Sequence, residues 1–436
     1  MWQPKCLILV AVSLSVLACT AAGDGGGRSL VTAVTKDATT SLYTIPVKSG
    51  RPLVLDLSGP IVWSTCDDGA PHDTLECNNI DCMCAHRFHP PSCPHTGYGM
   101  PDVHNPYRCK CTPHPHNSVS GDTASGDMTR VALSANATDG MNPLGPVSFT
   151  AVTSCAPDTL LQGLPVGAVG VAGLARSSFA FQVPNILCFT AFPAQVAGTQ
   201  GVANSFALCL SSSPGNGVAI FGGGPLFVLG QPISEMLGSN THLRKYKDSP
   251  GYYIMASKGI TMDGVQILPG EHAPLTIGLS TTTPYTELRS DVYRPFINVF
   301  DQAMECWGAA ALRVPFPAAS PFELCYNNSK LPQKRFGFFV LRISLMLDGG
   351  TSWPVFGMNS VVRLNRGTPC LAFVEMKAGN KAGYGDGAAP AVVIGSFQME
   401  NMLLVIDEEK QTLGFTTGQH LNNGLSCGHF NFTMPA

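Results

Sequence analysis

One arrangement of apolar strands occurs twice in this sequence. In the first half an apolar stretch, residues 53–56, ends in a turn, and about 110 residues later comes AVGVAGLAR, residues 168–176. In the second half LTIGLSTTTPY, residues 275–285, is followed at a similar distance by AVVIGSFQMENMLLVID, residues 391–407. Each half supplies an apolar strand that ends in a turn and a second apolar strand that breaks at glycine. Self-similarity of this kind predicts two lobes with one architecture.

The composition favours strands and turns over long helices. The 436 residues are enough for two ordinary domains or two fused lobes. Only 13% of them are charged, whereas 46 are glycine and 34 are proline, a balance typical of short strands joined by many turns. We therefore predict an all-β fold with a few short helices.

The N-terminus has the pattern of a secretory signal peptide. Lys5 precedes an apolar run over residues 6–17, and small residues follow over 18–23. These features predict removal of residues 1–22, and the run is shorter than the roughly 20 residues that a membrane anchor needs. We therefore expect a secreted, extracellular protein. Three sequons offer glycosylation sites in that compartment, at Asn136, Asn327 and Asn431.

The cysteine content agrees with secretion. Of 16 cysteines, Cys6 and Cys19 leave with the signal peptide, and the even number that remains predicts up to seven disulfides in an oxidising compartment. The sequence alone does not give their pairing. The cysteines concerned are Cys66, Cys77, Cys82, Cys84, Cys93, Cys109, Cys111, Cys155, Cys188, Cys209, Cys306, Cys325, Cys370 and Cys427.

Residues 77–116 hold six of these cysteines together with six histidines. Mixtures of cysteine and histidine bind zinc, but the spacings match no common zinc module and a secretory route favours disulfides. We predict an insertion stapled by disulfides, with a metal site as the alternative. No sequence motif for a cofactor is present, and a net charge of −3 gives no reason to expect nucleic-acid binding.

Several stretches resemble plant pepsin-like proteins along almost the whole mature chain. The stretches TIPVKSGRPLVLD, GVAGLARSSFAFQVP and FALCLSSSPGNGVAIFGGG are similar to the first lobe, and IGSFQMENMLLVIDEEKQTLGF is similar to the closing hairpin. Within that superfamily the likeness is to TAXI-type xylanase inhibitors and basic 7S globulin-like proteins, through GPIVWSTC, STTTPYTELRSDVYRPF and GTPCLAFVEM. The resemblance implies a disulfide-rich, two-lobed pepsin-like fold, with lobes over residues 23–232 and 233–436.

The resemblance also implies the loss of protease chemistry. Pepsin-like proteases use two aspartates that share a proton. Asp56 occupies the first position, but alignment on LSTTTPY places Ser280 at the second. Leu57 and Ser58 replace the threonine and glycine of the usual Asp-Thr-Gly triplet. We expect Asp56 to be a structural residue bonded to backbone and to Ser58 or Ser280, and we expect the chain not to be an enzyme.

The family comparison extends to the cysteine-rich insertion. Four of its cysteines resemble family cysteines, namely Cys77, Cys82, Cys93 and Cys111. Four others look additional, Cys84, Cys109, Cys188 and Cys306, and the family cysteine expected near Asp122 is missing. The disulfide pairing is therefore expected to be rearranged locally.

Two residues correspond to the contacts that TAXI-type inhibitors make. Retaining xylanases cleave xylan with two carboxyl groups about 5–5.5 Å apart, and a histidine placed between them blocks the cleft. His420 lies at the matching position after Phe415, and Arg335 occupies a position where the family has an apolar residue. A histidine gains charge in a mildly acidic cell wall.

The sequence therefore predicts a secreted plant defence protein of the apoplast or cell wall that inhibits microbial endo-1,4-β-xylanases and lacks aspartic protease activity. Its expected partner is a retaining xylanase, without nucleic acid, membrane or cofactor, and the protein is expected to be a monomer. One alternative is a basic 7S globulin-like extracellular protein that binds a peptide or another glycoside hydrolase. An active aspartic endopeptidase is a further alternative.

Overall fold

The computed structural model describes fifteen stretches of the chain. They are residues 27–66, 72–87, 99–101, 109–176, 190–212, 216–223, 227–228, 231–247, 249–267, 274–308, 313–315, 320–364, 367–377, 389–416 and 427–429. Secondary structure in these stretches is mostly strand, which confirms the all-β prediction. The predicted signal peptide lies outside the described residues, as do Cys93, Cys188, His420 and Asn431.

The first half contains thirteen strands and two helices among its described residues. The strands are β1 (Leu30–Lys36), β2 (Tyr43–Lys48), β3 (Arg51–Asp56), β4 (Trp63–Thr65), β5 (Gly99–Pro101), β6 (Cys109–Cys111), β7 (Met128–Thr138), β8 (Pro143–Ala156), β9 (Gly170–Gly173), β10 (Ser205–Cys209), β11 (Gly217–Phe221), β12 (Phe227–Val228) and β13 (Gln231–Pro232). The helices are α1 (Ile80–Arg87) and α2 (Phe192–Gln200), with a 3-10 turn at Asp158–Leu161.

The second half contains eighteen strands and four helices in the part that the structure describes. The strands are β14 (Ser239–His242), β15 (Tyr253–Ala256), β16 (Ile260–Met262), β17 (Val265–Gln266), β18 (Leu275–Leu279), β19 (Thr286–Leu288), β20 (Arg313–Val314), β21 (Cys325–Tyr326), β22 (Gln333–Lys334), β23 (Gly337–Phe338), β24 (Ile343–Met346), β25 (Ser352–Val355), β26 (Val361–Arg363), β27 (Pro369–Leu371), β28 (Phe373–Glu375), β29 (Val392–Ile394), β30 (Leu403–Asp407) and β31 (Thr412–Phe415). The helices are α3 (Ile233–Met236), α4 (Ser290–Cys306), α5 (Gly357–Ser360) and α6 (Ser396–Met399), with 3-10 turns at Asp348–Gly350 and Cys427–His429.

Seven strands of the first half form a closed ring. Their order is β1-β2-β3-β9-β4-β8-β7, and β7 pairs again with β1 through Leu30 and Ala137. Closure removes the unpaired strand edges that an open sheet would expose.

Strands from both ends of the chain join in one antiparallel sheet. Its order is β14-β31-β30-β10-β11-β1. The central pairing aligns β10 with β30, from Ser205 opposite Asp407 to Cys209 opposite Leu403. The two halves are therefore connected by a continuous ladder of backbone hydrogen bonds.

The second half repeats the pairing pattern of the first. The order β15-β18-β29-β19-β28 reproduces β2-β3-β9-β4-β8, including the two parallel pairs and the antiparallel pair between them. Parallel strands are buried on both faces and therefore read as continuous apolar runs, which is why the repeat is visible in the sequence. The structure confirms a pepsin-like architecture, while the lobe boundary between residues 232 and 233 stays a prediction.

A close backbone approach requires glycine at the end of the second strand in each repeat. A Cβ atom on Gly173 would lie 2.3 Å from the carbonyl oxygen of Gly59, and one on Gly395 would lie 2.5 Å from the carbonyl carbon of Tyr285. Both distances are far inside van der Waals contact. The two sequence breaks at glycine are therefore steric requirements of the fold.

Five disulfides join described cysteines. They are Cys66–Cys155, Cys77–Cys109, Cys82–Cys111, Cys209–Cys427 and Cys325–Cys370. Cys84 is also disulfide-bonded. Histidines lie beside two of these pairs, His72 near Cys66 and Cys155 and His86 near Cys82 and Cys111, but sulfurs joined in a disulfide do not act as thiolate ligands. The insertion is stapled as predicted.

One cysteine departs from the prediction. Cys306 is a free, exposed thiol, so its inclusion among the disulfide cysteines was wrong. It is the last residue of α4, where the helix end faces solvent and no described cysteine lies within bonding distance.

A buried carboxylate links the first strands to the region that follows α6. Glu400 is only 3% exposed, and its carboxylate accepts hydrogen bonds from Lys36 at 2.6 Å and from Tyr43 at 2.8 Å. Burial raises the pKa of Glu400 above its usual value, although Lys36 and Tyr43 act in the opposite direction. A raised pKa means that this group favours the folded state most at low pH and less as pH rises through its folded pKa.

We expect Lys36→Met to lower the free energy of unfolding by about 3 kcal/mol at pH 8, because it leaves a buried carboxylate without its cation. The loss should be smaller at pH 4, where Glu400 takes up a proton. Denaturant unfolding of the oxidised protein at both pH values measures the effect. The control is Lys410→Met, which removes the exposed pair of Lys410 with Asp407 and should leave the midpoint unchanged. Equal losses at the two pH values would contradict this account.

Candidate functional site

The ends of two parallel strand pairs place Asp56 and Ser280 in equivalent positions. In the first repeat Asp56 lies opposite Gly173 and its carbonyl accepts the N–H of Leu174 at 2.7 Å. In the second repeat Ser280 directly follows the pair of Leu279 and Ile394, and its own N–H donates to the carbonyl of Ile394 at 3.0 Å. The two residues therefore occupy equivalent strand ends in the two repeats.

A threonine from the second repeat connects the two strand ends. The hydroxyl of Thr281 donates to the carbonyl of Leu55 at 2.6 Å and accepts the N–H of Leu57 at 3.2 Å. Leu57 is fully buried and carries no hydroxyl to make the reciprocal bonds. The hydroxyl bridge between these two strand ends is therefore supplied by the second repeat.

Both carboxylate oxygens of Asp56 are hydrogen-bonded. Oδ1 accepts the backbone N–H of Ser58 at 2.9 Å and its hydroxyl at 2.7 Å, and Oδ2 accepts the hydroxyl of Ser118 at 2.5 Å. The side chain is 1% exposed. Of the two serines considered from the sequence, Ser58 is therefore the partner, and Ser118 is one that sequence reasoning missed.

Ser280 uses its hydroxyl within its own loop. Its oxygen lies 3.3 Å from the hydroxyl of Thr282, donates to the hydroxyl of Thr283 at 3.0 Å and accepts the N–H of Thr283 at 3.0 Å. Asp56 likewise bonds within its own turn, but its partner Ser58 is two residues further along the chain, whereas Ser280 accepts the N–H of the third residue along. Each of the two strands is therefore followed by a small turn that is closed by side-chain hydrogen bonds.

Ser118 reaches Asp56 because a buried asparagine holds its hairpin in place. The hairpin, residues 116–123, is closed by a bridge between His116 and Thr123. Asn117 is fully buried, and its amide nitrogen donates to the carbonyls of Leu160 at 2.8 Å and Gln162 at 2.9 Å. The Asn-Ser pair at a turn is the only sequence signal for this contact, and it does not identify Asp56 as the partner.

His116 lies beside the same carboxylate in a partly buried position. Burial lowers the pKa of His116 below its usual value, and the negative charges of Asp56 and Asp122 oppose that shift. Its Nδ1 atom lies 3.0 Å from the hydroxyl of Thr123, and its carbonyl accepts the indole N–H of Trp63 at 3.0 Å. The His116 imidazole therefore loses its proton at a lower pH than a free histidine does.

The groups bonded to the Asp56 carboxylate in the described residues are one amide and two serine hydroxyls. Aspartic protease chemistry requires a second carboxyl group that shares a proton with the first. Asp291, the first aspartate after Ser280 in the sequence, is in α4 and forms an exposed ion pair with Arg289. The geometry is that of a capped, structural carboxylate.

Arg335 lies at the tip of a tight hairpin. Strands β22 and β23 pair through Lys334 opposite Gly337, which leaves Arg335 and Phe336 as the turn. The arginine is exposed, whereas the Phe336 ring packs against Phe356 at 5.2 Å between centroids. A contact residue for a partner would be accessible at this tip.

Two predicted glycosylation sites fall within described residues. Asn136 is a half-buried residue of β7, and the side-chain oxygen of Asn327 accepts two hydrogen bonds from Ser329 in a turn. Glycan occupancy at both stays a prediction.

In the residues that the structure describes, the helices are too short or too polar to cross a bilayer.

Two family models match the two halves of the chain in order. The first, described as xylanase inhibitor N-terminal, covers residues 43–223, and the second, described as xylanase inhibitor C-terminal, covers residues 252–417. Together they span most of the sequence.

Curated relatives and a solved structure extend the similarity to the full length. A protein of Oryza sativa subsp. japonica named Chitinase CLP is 52% identical over 98% of this chain and 97% of its own length. Gamma conglutin 1 of Prunus dulcis is 30% identical over 93% of this chain and 90% of its own length. The crystal structure of edgp superimposes with a TM-score of 0.75 at 27% identity, over 94% of this chain and 99% of that chain.

We expect Ser118→Ala to reduce stability by about 2 kcal/mol, because it removes a donor from a buried, charged acceptor. Denaturant unfolding measures the loss. Ser120→Ala is the matched control in the same hairpin, since the Ser120 hydroxyl only accepts an exposed backbone N–H from Asp122. If both variants unfold like the wild type, the bond between Ser118 and Asp56 has no energetic importance.

Proposed function

We propose a function from the premise that this chain belongs to the plant family of TAXI-type xylanase inhibitors and basic 7S globulin-like proteins. It is a secreted, extracellular defence protein that inhibits microbial endo-1,4-β-xylanases and has no aspartic protease activity. The observation that supports this most directly is the match of both halves to family models described as xylanase inhibitor.

The absence of protease activity follows from the bonding of Asp56 and Ser280. A serine hydroxyl does not share a proton with a carboxylate in the way a second carboxyl group does. The Asp56 oxygens accept three hydrogen bonds, from one amide and two serine hydroxyls, and none of these donors is a carboxyl group. Pepstatin-sensitive cleavage of an unfolded substrate at acid pH would contradict this part of the proposal.

Inhibition is assigned to two segments, the residues around His420 and the hairpin with Arg335. An imidazolium donates from both ring nitrogens, and between the two carboxylates of a retaining xylanase it forms close charge pairs. Such interfacial pairs have coupling energies on the order of 2–5 kcal/mol. Arg335 is exposed at its hairpin tip and adds a guanidinium that suits carboxylate ligands.

We expect His420→Ala to weaken inhibition of a sensitive xylanase by at least tenfold, or about 1.4 kcal/mol, because it leaves the two enzyme carboxylates without their cation. Inhibition by the wild type should fade as pH rises past the pKa of His420 in the complex, which the carboxylates raise above about 6.5. Inhibition constants against a panel of fungal and bacterial retaining xylanases measure both effects.

The companion variant is Arg335→Ala. If His420→Ala inhibits as well as the wild type while Arg335→Ala abolishes inhibition, the histidine mechanism is wrong and the hairpin is the inhibitory element. If no xylanase in the panel is inhibited by the wild type, the basic 7S globulin-like alternative, with a peptide or another glycoside hydrolase as partner, takes its place.

A second candidate function is the hydrolysis of chitin. It is favoured by the name of the rice relative that is 52% identical over nearly the whole chain. Most glycoside hydrolases use two carboxyl groups, about 5–5.5 Å apart in retaining enzymes and about 6.5–9.5 Å apart in inverting ones. Asp56 is unsuited to either role, because its oxygens are capped and Ser280 occupies the equivalent strand end.

We therefore expect the purified protein to release no product from chito-oligosaccharides. The assay compares the wild type with Asp56→Asn and uses a known chitinase as the positive control. Turnover by the wild type would establish the second candidate, and its persistence in Asp56→Asn would assign the chemistry to carboxylates elsewhere in the chain.

A further inference from the structure

A cavity of about 370 Å³ lies beside the hairpin that carries Arg335, between that hairpin and the end of α4. We call it the aromatic cavity. Its volume falls in the range of small-molecule sites, about 300–1,000 Å³. Side chains that define its chemistry are Trp307, Lys334, Phe336, Phe339, Arg342 and Phe356.

Two of its aromatic rings are unusually exposed. Trp307 is 46% exposed and Phe339 is 42% exposed, whereas most large apolar side chains of the described chain are buried. The two rings stack on each other with centroids 5.2 Å apart and planes 14° apart. Since Phe339 covers one face of the indole, the exposure of Trp307 belongs to its other face and its edge. Contiguous exposed apolar surface of this kind is a feature of interaction sites and ligand-binding grooves.

The backbone that carries the exposed indole is fixed by the last turn of α4. Trp307 directly follows α4, and its N–H donates to the carbonyl of Ala303 at 3.2 Å. The opposite wall is fixed where Gly337 approaches the backbone of Met358, since a Cβ atom on Gly337 would lie 2.3 Å from the Met358 nitrogen. A preformed platform requires little ordering when a ligand binds.

The charges around the aromatic cavity are mainly positive. The ammonium of Lys334 lies 3.8 Å from the centroid of the Phe339 ring, and the guanidinium of Arg363 lies 5.0 Å from that of Phe338. Arg342 lines the cavity, and the one acidic lining residue is Asp263, whose carboxylate accepts the backbone N–H of Arg342 at 2.9 Å. The site therefore combines aromatic faces with cations.

We propose that the aromatic cavity binds a short oligosaccharide that carries a uronic acid. The C–H groups on one face of a pyranose ring carry partial positive charge and pack against the negative face of an aromatic ring. A uronic acid adds a carboxylate, which Lys334 and Arg342 bind by charge-assisted hydrogen bonds. Asp263 accepts hydroxyl groups of the sugar. The inference does not depend on xylanase inhibition, because the ligand is a plant-wall saccharide and not the enzyme.

The test is calorimetric titration of the purified protein with defined oligosaccharides, without any xylanase. Glucuronic acid-substituted xylo-oligosaccharides and oligogalacturonides supply the uronic acid from two sources, and neutral xylo-oligosaccharides and chito-oligosaccharides supply none. We expect at least one of the acidic ligands to bind at least tenfold more tightly than either neutral one, and the better of the two identifies the source.

Two variants and a control locate the site. Trp307→Ala should weaken binding of the acidic ligand at least tenfold, and Lys334→Met should reduce the preference for acidic over neutral ligands. Met141→Ala is the control, because this methionine is 58% exposed in the turn between β7 and β8 and does not line the cavity. Thermal unfolding verifies that each variant is folded.

The proposal is overturned if the wild type binds no acidic oligosaccharide, if neutral ligands bind as tightly, or if Trp307→Ala binds like the wild type. A loss of xylanase inhibition in Trp307→Ala without any saccharide binding would assign the cavity to a protein partner instead. If the protein binds the acidic saccharide but inhibits no xylanase, this inference holds and the proposed inhibition is wrong.

Discussion

The hydroxyl of Thr281 holds together the two strand ends around which the molecule is organised. It donates to Leu55 and accepts from Leu57, so one side chain of the second repeat satisfies two backbone groups of the first. Both groups lie in a buried region, where an unpaired amide or carbonyl would destabilise the fold by about 1–3 kcal/mol. The bond fixes the relative position of Asp56 and Ser280 regardless of whether either takes part in chemistry. The arrangement of the two strand ends therefore depends on Thr281 and not on the chemistry of the residues at positions 56 and 280.

Much of the fold could be predicted because burial and close backbone contacts restrict which residues the two repeats can contain. The buried parallel strands leave continuous apolar runs, and Gly173 and Gly395 are required by close backbone contacts. The hydrogen bond between Ser58 and Asp56 could also be predicted, because the two residues are only two positions apart in the sequence. In contrast, Ser118 is 62 residues from Asp56, and its position depends on the burial of Asn117. No pattern in the sequence encodes that tertiary contact.

The difference between local and tertiary contacts also explains what could be predicted about the cysteines and the aromatic cavity. A disulfide-stapled insertion follows from composition and compartment, but the pairing of Cys77 with Cys109 and Cys82 with Cys111 depends on how α1 packs against β6. Trp307 and Phe339 are ordinary apolar residues in the sequence, and only folding reveals that they stack and remain exposed. An exposed pair of aromatics is a property of the surface, so periodicity alone does not predict it.

The disulfide between Cys209 and Cys427 has a mechanical consequence for the segment that contains His420. On one side of this segment β31 is anchored by its pairing with β14, where Phe415 lies opposite Ser239. On the other side Cys427 is covalently bound to β10, a strand of the first half. The residues at both ends of this segment are thus fixed, and the entropy lost on closing a chain between two fixed ends depends only weakly on its length. We therefore expect insertions between Phe415 and Cys427 to change the stability of the fold little.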